Sequence, residues 1–255
     1  MANQQKSKII KTACWLLAAT LAAAAQGDPL ITLHYNERAP YLQTLANGEI
    51  AGLTATPAEQ ALRCAGIPFK WEKTPSNRQI QLLERNTNAD CMVGWFKNPQ
   101  RELIGNFSLP LYKDKPTIGL ALFSNINIDS GSPLAQVLQN RELRLLIKSG
   151  YSYGEHIDAL IHRLEPRQVK TTVENMNMLR MIALDRADYF FIAEEEASEL
   201  IRQSEFQAGD FKYIHFSDSP DGGQRHLWCS KQVSQHSLNR INQAIAELAT
   251  PATRP

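Results

Sequence analysis

The sequence predicts an α/β protein whose sheets are largely parallel. Three observations carry that prediction. Strand-like and helix-like patterns alternate after residue 30, the run Cys91-Met92-Val93-Gly94-Trp95-Phe96 is apolar on both faces as a buried strand would be, and several helices show start signals followed by one apolar stripe. With 255 residues, 43% of them apolar, the chain is long enough for a sizeable core in one large domain or two small ones. Its 27 basic and 26 acidic side chains leave no positive excess for a nucleic-acid backbone or an anionic membrane.

Residues 1–27 stand apart. Lys6, Lys8 and Lys11 precede an apolar run from Ala13 to Ala25, and Ala23, Ala24, Ala25 and Gly27 offer cleavage positions. The run is shorter than the roughly 20 residues of a membrane span, so it reads as a secretory signal peptide. Export leaves Cys64, Cys91 and Cys229 in a compartment that permits disulfides. A Cys64–Cys91 bridge would contribute about 3.5 kcal/mol on the chain-entropy model; the alternative is three small buried thiols.

The elements follow in order. Ile31 to Tyr35 is a strand, and Asn47-Gly48 a turn. Thr56, Pro57 and Glu59 supply a cap hydroxyl, a first-turn proline and a capping-box glutamate for a helix that Gly66 ends. Pro68 to Lys73 is a strand, and Ser76 with Gln79 opens a helix through Arg85. Asn98-Pro99 halts the buried strand. Thr117 to Phe123 is a strand, Pro133 to Gln139 a short helix and Leu143 to Ile147 a strand. Ser152 with Glu155 forms a third capping box before a helix whose Ile157, Leu160, Ile161 and Leu164 share one face. Val169 to Val173, a helix carrying Met176, Leu179, Ile182 and Ala183, and Asp188 to Ala193 complete a second α/β unit. Its stripe of Met176, Met178 and Met181 reads as core filling. Glu194-Glu195-Glu196 with Glu199 opens a helix, where the dipole favours negative charge. Strands at Phe211 to Phe216 and Arg225 to Cys229 precede a final helix from about Gln235, with Leu238, Ile241, Ile245 and Leu248 on one face.

Little in the sequence reads as catalytic. The six histidines lack the spacing of a metal site, and there is no Gly-x-Ser-x-Gly elbow, phosphate loop or dinucleotide fingerprint. No metal or other cofactor is implied. In open α/β sheets, however, ligands sit beyond the carboxyl ends of strands and at the helix starts that follow. Three such loops carry Tyr41; Trp95, Phe96, Asn98 and Arg101; and Tyr151, Ser152 and Tyr153. Aromatic faces, one arginine and free N–H groups suit a small solute with an anionic group, which Arg101 can grip bidentately while the Ser152 helix start caps it from the far side. The bland reading is a surface ion pair for Arg101, core packing for Trp95 and Tyr41, and a capped helix start at Ser152.

The order of segments adds to this. Ala39-Pro40-Tyr41 stands before Gly52-Leu53, and Ala89-Asp90-Cys91-Met92-Val93-Gly94 leads into Asn98-Pro99-Gln100-Arg101-Glu102. Phe107-Ser108, Ser149-Gly150-Tyr151-Ser152 and Arg186-Ala187-Asp188-Tyr189 follow. In that order the chain resembles bacterial extracellular solute-binding proteins of family 3. The resemblance implies a two-lobed periplasmic-binding-protein fold: lobe 1 over residues 28–114 and 213–255, lobe 2 over 115–212, and two hinge strands near Lys113 to Thr117 and Gly209 to Phe216. It implies that the lobes close on a solute. Arg101 would hold a carboxylate, Asn98 would stand where a hydroxyl residue is usual, Tyr41 would cover the solute, and Ser152 and Tyr153 would serve from lobe 2. Ala193 falls where the family usually places an acid for the α-amino group, with Glu194 one step late.

The expectation is therefore a non-enzymatic periplasmic monomer that captures a small, carboxylate-bearing, amino-acid-like solute for an ABC-type transporter permease or a membrane sensor. One alternative is an enzyme on the same scaffold, resembling a cyclohexadienyl dehydratase, with Glu37 or Glu194 as general acid. The other is a sensory or scaffold protein that binds no solute.

Overall fold

The computed structural model describes residues 28–250; the expected signal peptide lies outside them. Two mixed sheets dominate. The first contains β1 (Ile31–Tyr35), β4 (Phe69–Lys73), β5 (Asp90–Phe96), β6 (Asn106–Phe107), β7 (Tyr112–Lys113) and β13 (Gln224–Cys229) in the order β4-β1-β5-β13-β6, with β7 also on β13. The second, β10-β9-β11-β8-β12, is built from β8 (Thr117–Leu122), β9 (Leu145–Lys148), β10 (Gln168–Thr171), β11 (Tyr189–Ala193) and β12 (Phe211–Ile214). Each keeps three parallel strands joined through helices and adds antiparallel neighbours: β13 pairs antiparallel with β5, and β8 with β11 and β12. A hairpin, β2 (Gln43–Thr44) and β3 (Ile50–Ala51), straddles the expected Asn47-Gly48 turn.

Both sheets are covered on both faces, and the strands' period of two assigns residues to each side. Ile31, Leu33, Cys91, Val93, Leu227 and Cys229 join α1 (Ala55–Cys64) and α8 (Gln235–Ala249) in one core, while Met92 and Trp228 face α2 (Ser76–Arg85) and α3 (Pro99–Ile104). In the second sheet Phe190 and Ile192 pack on α6 (Asn175–Ala183) and α7 (Glu194–Arg202). Tyr189 and Phe191 pack on α4 (Leu134–Gln139) and α5 (Glu155–Leu164). The expected stripe works as core filling: Met178, Leu179 and Ile182 are buried and Met176 and Met181 lie against them.

The chain passes between the sheets twice, after β7 and between β12 and β13. The two crossings touch, since Asp114 N–H donates to Gly223 O at 2.9 Å. A Cβ at Gly222 would stand 1.8 Å from Asp114 O. Tyr213 and Ile214 pair with Leu120 and Gly119 of the second sheet, so the expected boundary at 212/213 falls inside a strand.

Other expectations need correction. The disulfide joins Cys91 to Cys229, and Cys64 is free and exposed. Cys91 and Cys229 are directly opposed across β5 and β13, whereas Cys64 lies off the buried face of α1 formed by Ala55, Ala58, Ala61 and Leu62. None of the three capping boxes forms: Thr54, Pro75 and Gly154 occupy the cap positions without side-chain hydrogen bonds. Ser76 and Gln79 are drawn instead into tertiary contacts with Glu174 and with Thr74 and Trp95. The residues after Asn98-Pro99 form α3, with Asn98 as its cap.

Candidate solute-binding cleft

The carboxyl ends of β1, β5, β9 and β11 lie at the edge between the sheets, where β1, β5 and β9 run into loops and β11 leads directly into α7. Two small cavities, about 40 and 30 Å³, lie there and share Arg38, Phe96, Tyr151, Ser152 and Arg225 as walls. A wider space of about 450 Å³ opens at the mouth beside Asn36, Glu37, Lys73 and Glu174.

The structure brings six of the seven expected residues to these inner walls. Tyr41, Trp95, Arg101, Tyr151 and Ser152 line the first cavity, and Tyr151, Ser152 and Tyr153 the second. Tyr41 is fully buried and donates its hydroxyl to Glu195 at 3.1 Å, and burial raises its phenol pKa. Trp95 is held by its indole N–H on Gln79 Oε1 at 2.8 Å. Tyr153 accepts the Lys148 N–H, and burial raises its pKa as well. Asn98 stays away: its Oδ1 takes the Arg101 N–H at 2.9 Å as a helix cap, and it lines neither inner cavity. The helix expected to start at Ser152 starts at Glu155. Ser152 hydroxyl and Tyr153 N–H both bind Asp158, while the Ser152 N–H has no acceptor among the described residues.

Arg101 crosses the cleft. It rises from β5's own continuation, donates to Phe96 O at 2.6 Å and to Gly150 O of the opposite sheet's loop at 2.9 Å, and lies over Trp95 at 4.7 Å. It is 7% exposed and has no carboxylate within salt-bridge distance among the described residues. Burial lowers its pKa to about 10, still cationic at neutral pH.

Two further arginines meet it, neither singled out in the sequence. Arg225 forks onto Asp114 at 2.6 and 2.7 Å and lies 3.8 Å from the Tyr41 ring centre. Arg38 forks onto Glu196 of the second lobe's α7 at 2.6 and 2.8 Å, between the Tyr41 and Tyr151 rings. Burial works against the Arg38 charge, but Glu196 holds it protonated well above the ordinary guanidinium range. The strand-end rule that found Tyr41 also covers Arg38, three residues beyond β1. It passes over Arg225, since β13 is antiparallel and reaches this edge with its amino end. Glu196 does open a helix as expected, yet it is also 1% exposed and paired across the cleft.

Asn36 and Ser76 reach across to Glu174 at 3.0 and 3.1 Å, so the lobes are joined at several points. Glu37, a candidate acid of the enzymatic alternative, binds Thr44 and Lys73 at the mouth, and Glu194 lies near His215 at 3.4 Å; neither lines the inner cavities.

No protein-family model matches the chain, and no curated protein matches it. Solved structures do. The chain is similar to the arginine-binding protein of T. maritima in its holo form (TM-score 0.69, 15% identity, 88% of this chain and 91% of that one). It is similar to an ancestral arginine-binding protein bound to arginine (TM-score 0.68, 14% identity, 86% and 91%). It also resembles the substrate-binding protein of an amino acid ABC transporter (TM-score 0.65, 13% identity, 86% and 92%). At these identities the likeness establishes the fold, a two-lobed binding-protein architecture shared by amino-acid-binding proteins.

Proposed function

We propose that this chain is a periplasmic solute-binding protein that holds a small, polar, carboxylate-bearing solute between its lobes and presents it to an ABC-type transporter or membrane sensor. The fold shared with amino-acid-binding proteins supports the general role. The observation that carries the anionic preference is Arg101: a buried guanidinium beside a cavity, with two of its five N–H donors used on carbonyls and no carboxylate partner among the described residues. A buried unpaired charge is costly, and a bidentate carboxylate is the partner that best relieves it. The Ser152 N–H supports the far side of the solute, and Tyr41, Trp95 and Tyr151 cover its apolar part. Because the walls come from both lobes, a solute touching both favours the closed arrangement. Binding rather than turnover is supported by the likeness to binding proteins and by the placement of Glu37 at the mouth and Glu194 beside His215, outside the inner cavities.

Mass spectrometry of small molecules released on gentle denaturation tests this reading. A carboxylate should appear, and adding it back at 100 times its Kd should stabilise the fold by about 2.7 kcal/mol in a thermal-shift assay. Release of no solute, together with no stabilisation by a panel of polar metabolites, would overturn it in favour of the non-binding scaffold.

A further inference from the structure

Resting on the reading of the cleft as a solute site, we infer that its occupant is a compact monocarboxylate without an ammonium group, an unsubstituted, 2-hydroxy or 2-oxo acid of about three carbons rather than an amino acid. Charge and room lead there independently.

The charged side chains lining the two inner cavities are Arg38, Arg101, Arg225 and Asp114. Asp114 has both oxygens in the Arg225 fork, and Arg38 has its fork filled by Glu196, which is itself buried. Those four groups cancel in pairs and leave Arg101, which is attracted through space by Asp158 but not bonded to it; Asp158 is held by the Ser152 hydroxyl and the Tyr153 N–H and lines neither cavity. One carboxylate balances Arg101. An ammonium on the same solute would meet three guanidinium groups, and the nearby carboxylates Asp114, Glu196 and Asp158 each already have two-point partners; it would be left desolvated and unpaired. The carbonyls that frame the site are equally engaged, Phe96 O and Gly150 O by Arg101 and Gly94 O by Arg225. The second cavity adds the apolar Met178, Phe190, Phe191, Ile192 and Ala193 beside the uncharged Thr117 and Asn175.

The room agrees. An enclosed water needs at least about 10–15 Å³ of such space. Cavities of about 40 and 30 Å³ are small beside the roughly 150 Å³ that takes a benzene ring, which favours a compact occupant over one as long as arginine.

L-lactate and L-alanine differ only in carrying a hydroxyl or an ammonium at the same carbon, so their calorimetric titration into the full chain isolates the ammonium. L-lactamide does the same for the carboxylate, and propionate and pyruvate complete the acids. At least one of the three acids should bind, with L-alanine about 100-fold weaker or worse and L-lactamide silent. Arg101→Ala should lose the acid, and Arg101→Lys, which keeps the charge, should retain part of the affinity; the wild-type comparison stands even if a variant folds poorly. Binding of L-alanine or L-arginine as tight as the best acid overturns the inference and leaves the solute-binding reading in place. So does failure of all three acids when denaturation releases a larger or amine-bearing carboxylate. Failure of every acid and amino acid, with no small molecule released, overturns both.

Discussion

Glu196 shows what a single residue contributes to this cleft. Its carboxylate is 1% exposed and takes the Arg38 fork across the lobes together with Asn175 Nδ2. Removing one partner of such a pair strands the other charge, so Glu196→Gln should lower stability by about 3–5 kcal/mol in urea unfolding, while the double change Arg38→Met with Glu196→Leu should recover most of that loss. A single variant as stable as wild type would mean the pair is solvated. The pair was invisible in the sequence because its partners stand 158 positions apart, and residue type alone does not say which acid an arginine meets. Tyr41, Arg101, Tyr151 and Ser152 could be placed at this edge from the sequence because they follow strands β1, β5 and β9, and Trp95 because it stands at the carboxyl end of β5 itself. Asn98 obeys the same rule and still misses, since an Asn followed by Pro is also a strong helix cap and the local hydrogen bond wins.

At the level of elements, tertiary contacts decide details that local chemistry proposes. Ser76 and Gln79 have the capping-box spacing, but Ser76 donates to Glu174 across the cleft while Gln79 donates to Thr74 O and accepts from the Trp95 indole, so Pro75 takes the cap position. Strand positions transferred well, because runs such as Tyr189 to Ala193 are apolar on both faces and permit little else. The Cys91–Cys229 bridge ties the centre of the first sheet over a separation of 138 residues. Removing it with Cys91→Ala and Cys229→Ala should cost roughly 4–5 kcal/mol on the chain-entropy model, whereas Cys64→Ala at its exposed position should change stability by less than about 0.5 kcal/mol. Urea titrations of both variants compare the two directly. In the second sheet, Asp188 before β11 accepts the Arg144 N–H and Nε at 2.6 and 2.8 Å. Burial pushes its carboxyl up, but the Arg144 bonds outweigh that and hold it below the ordinary 3.8. Its stabilisation is therefore complete above the unfolded-state pKa and fades as pH falls through the lower folded-state value. Asp188→Asn should cost about 1–2 kcal/mol at pH 7, and its stability should converge on that of wild type only once the pH has fallen below the lowered folded-state value of Asp188. A difference that persists there would place the effect in packing instead of charge.

For the molecule as a whole, function depends on two sheets held by two touching crossings. Gly222 sits where they meet, and an added Cβ has no room beside Asp114 O and Lys115 O. Gly222→Ala should spread the crossings, lower stability by about 1–3 kcal/mol, and weaken closure, seen as a larger radius of gyration by small-angle scattering in the presence of solute. An unchanged radius would place the pivot elsewhere in the crossings. The alternation of strands and helices made the α/β class legible, and the two lobes were implied only by the resemblance that the order of segments carries; β12 remains with the second sheet through Ile214. The most direct test of the whole account is calorimetric titration of the co-purified carboxylate into wild type and Arg101→Ala, with circular dichroism as the check on folding. The account predicts at least about 100-fold weaker binding to the folded variant; equal affinity would contradict it.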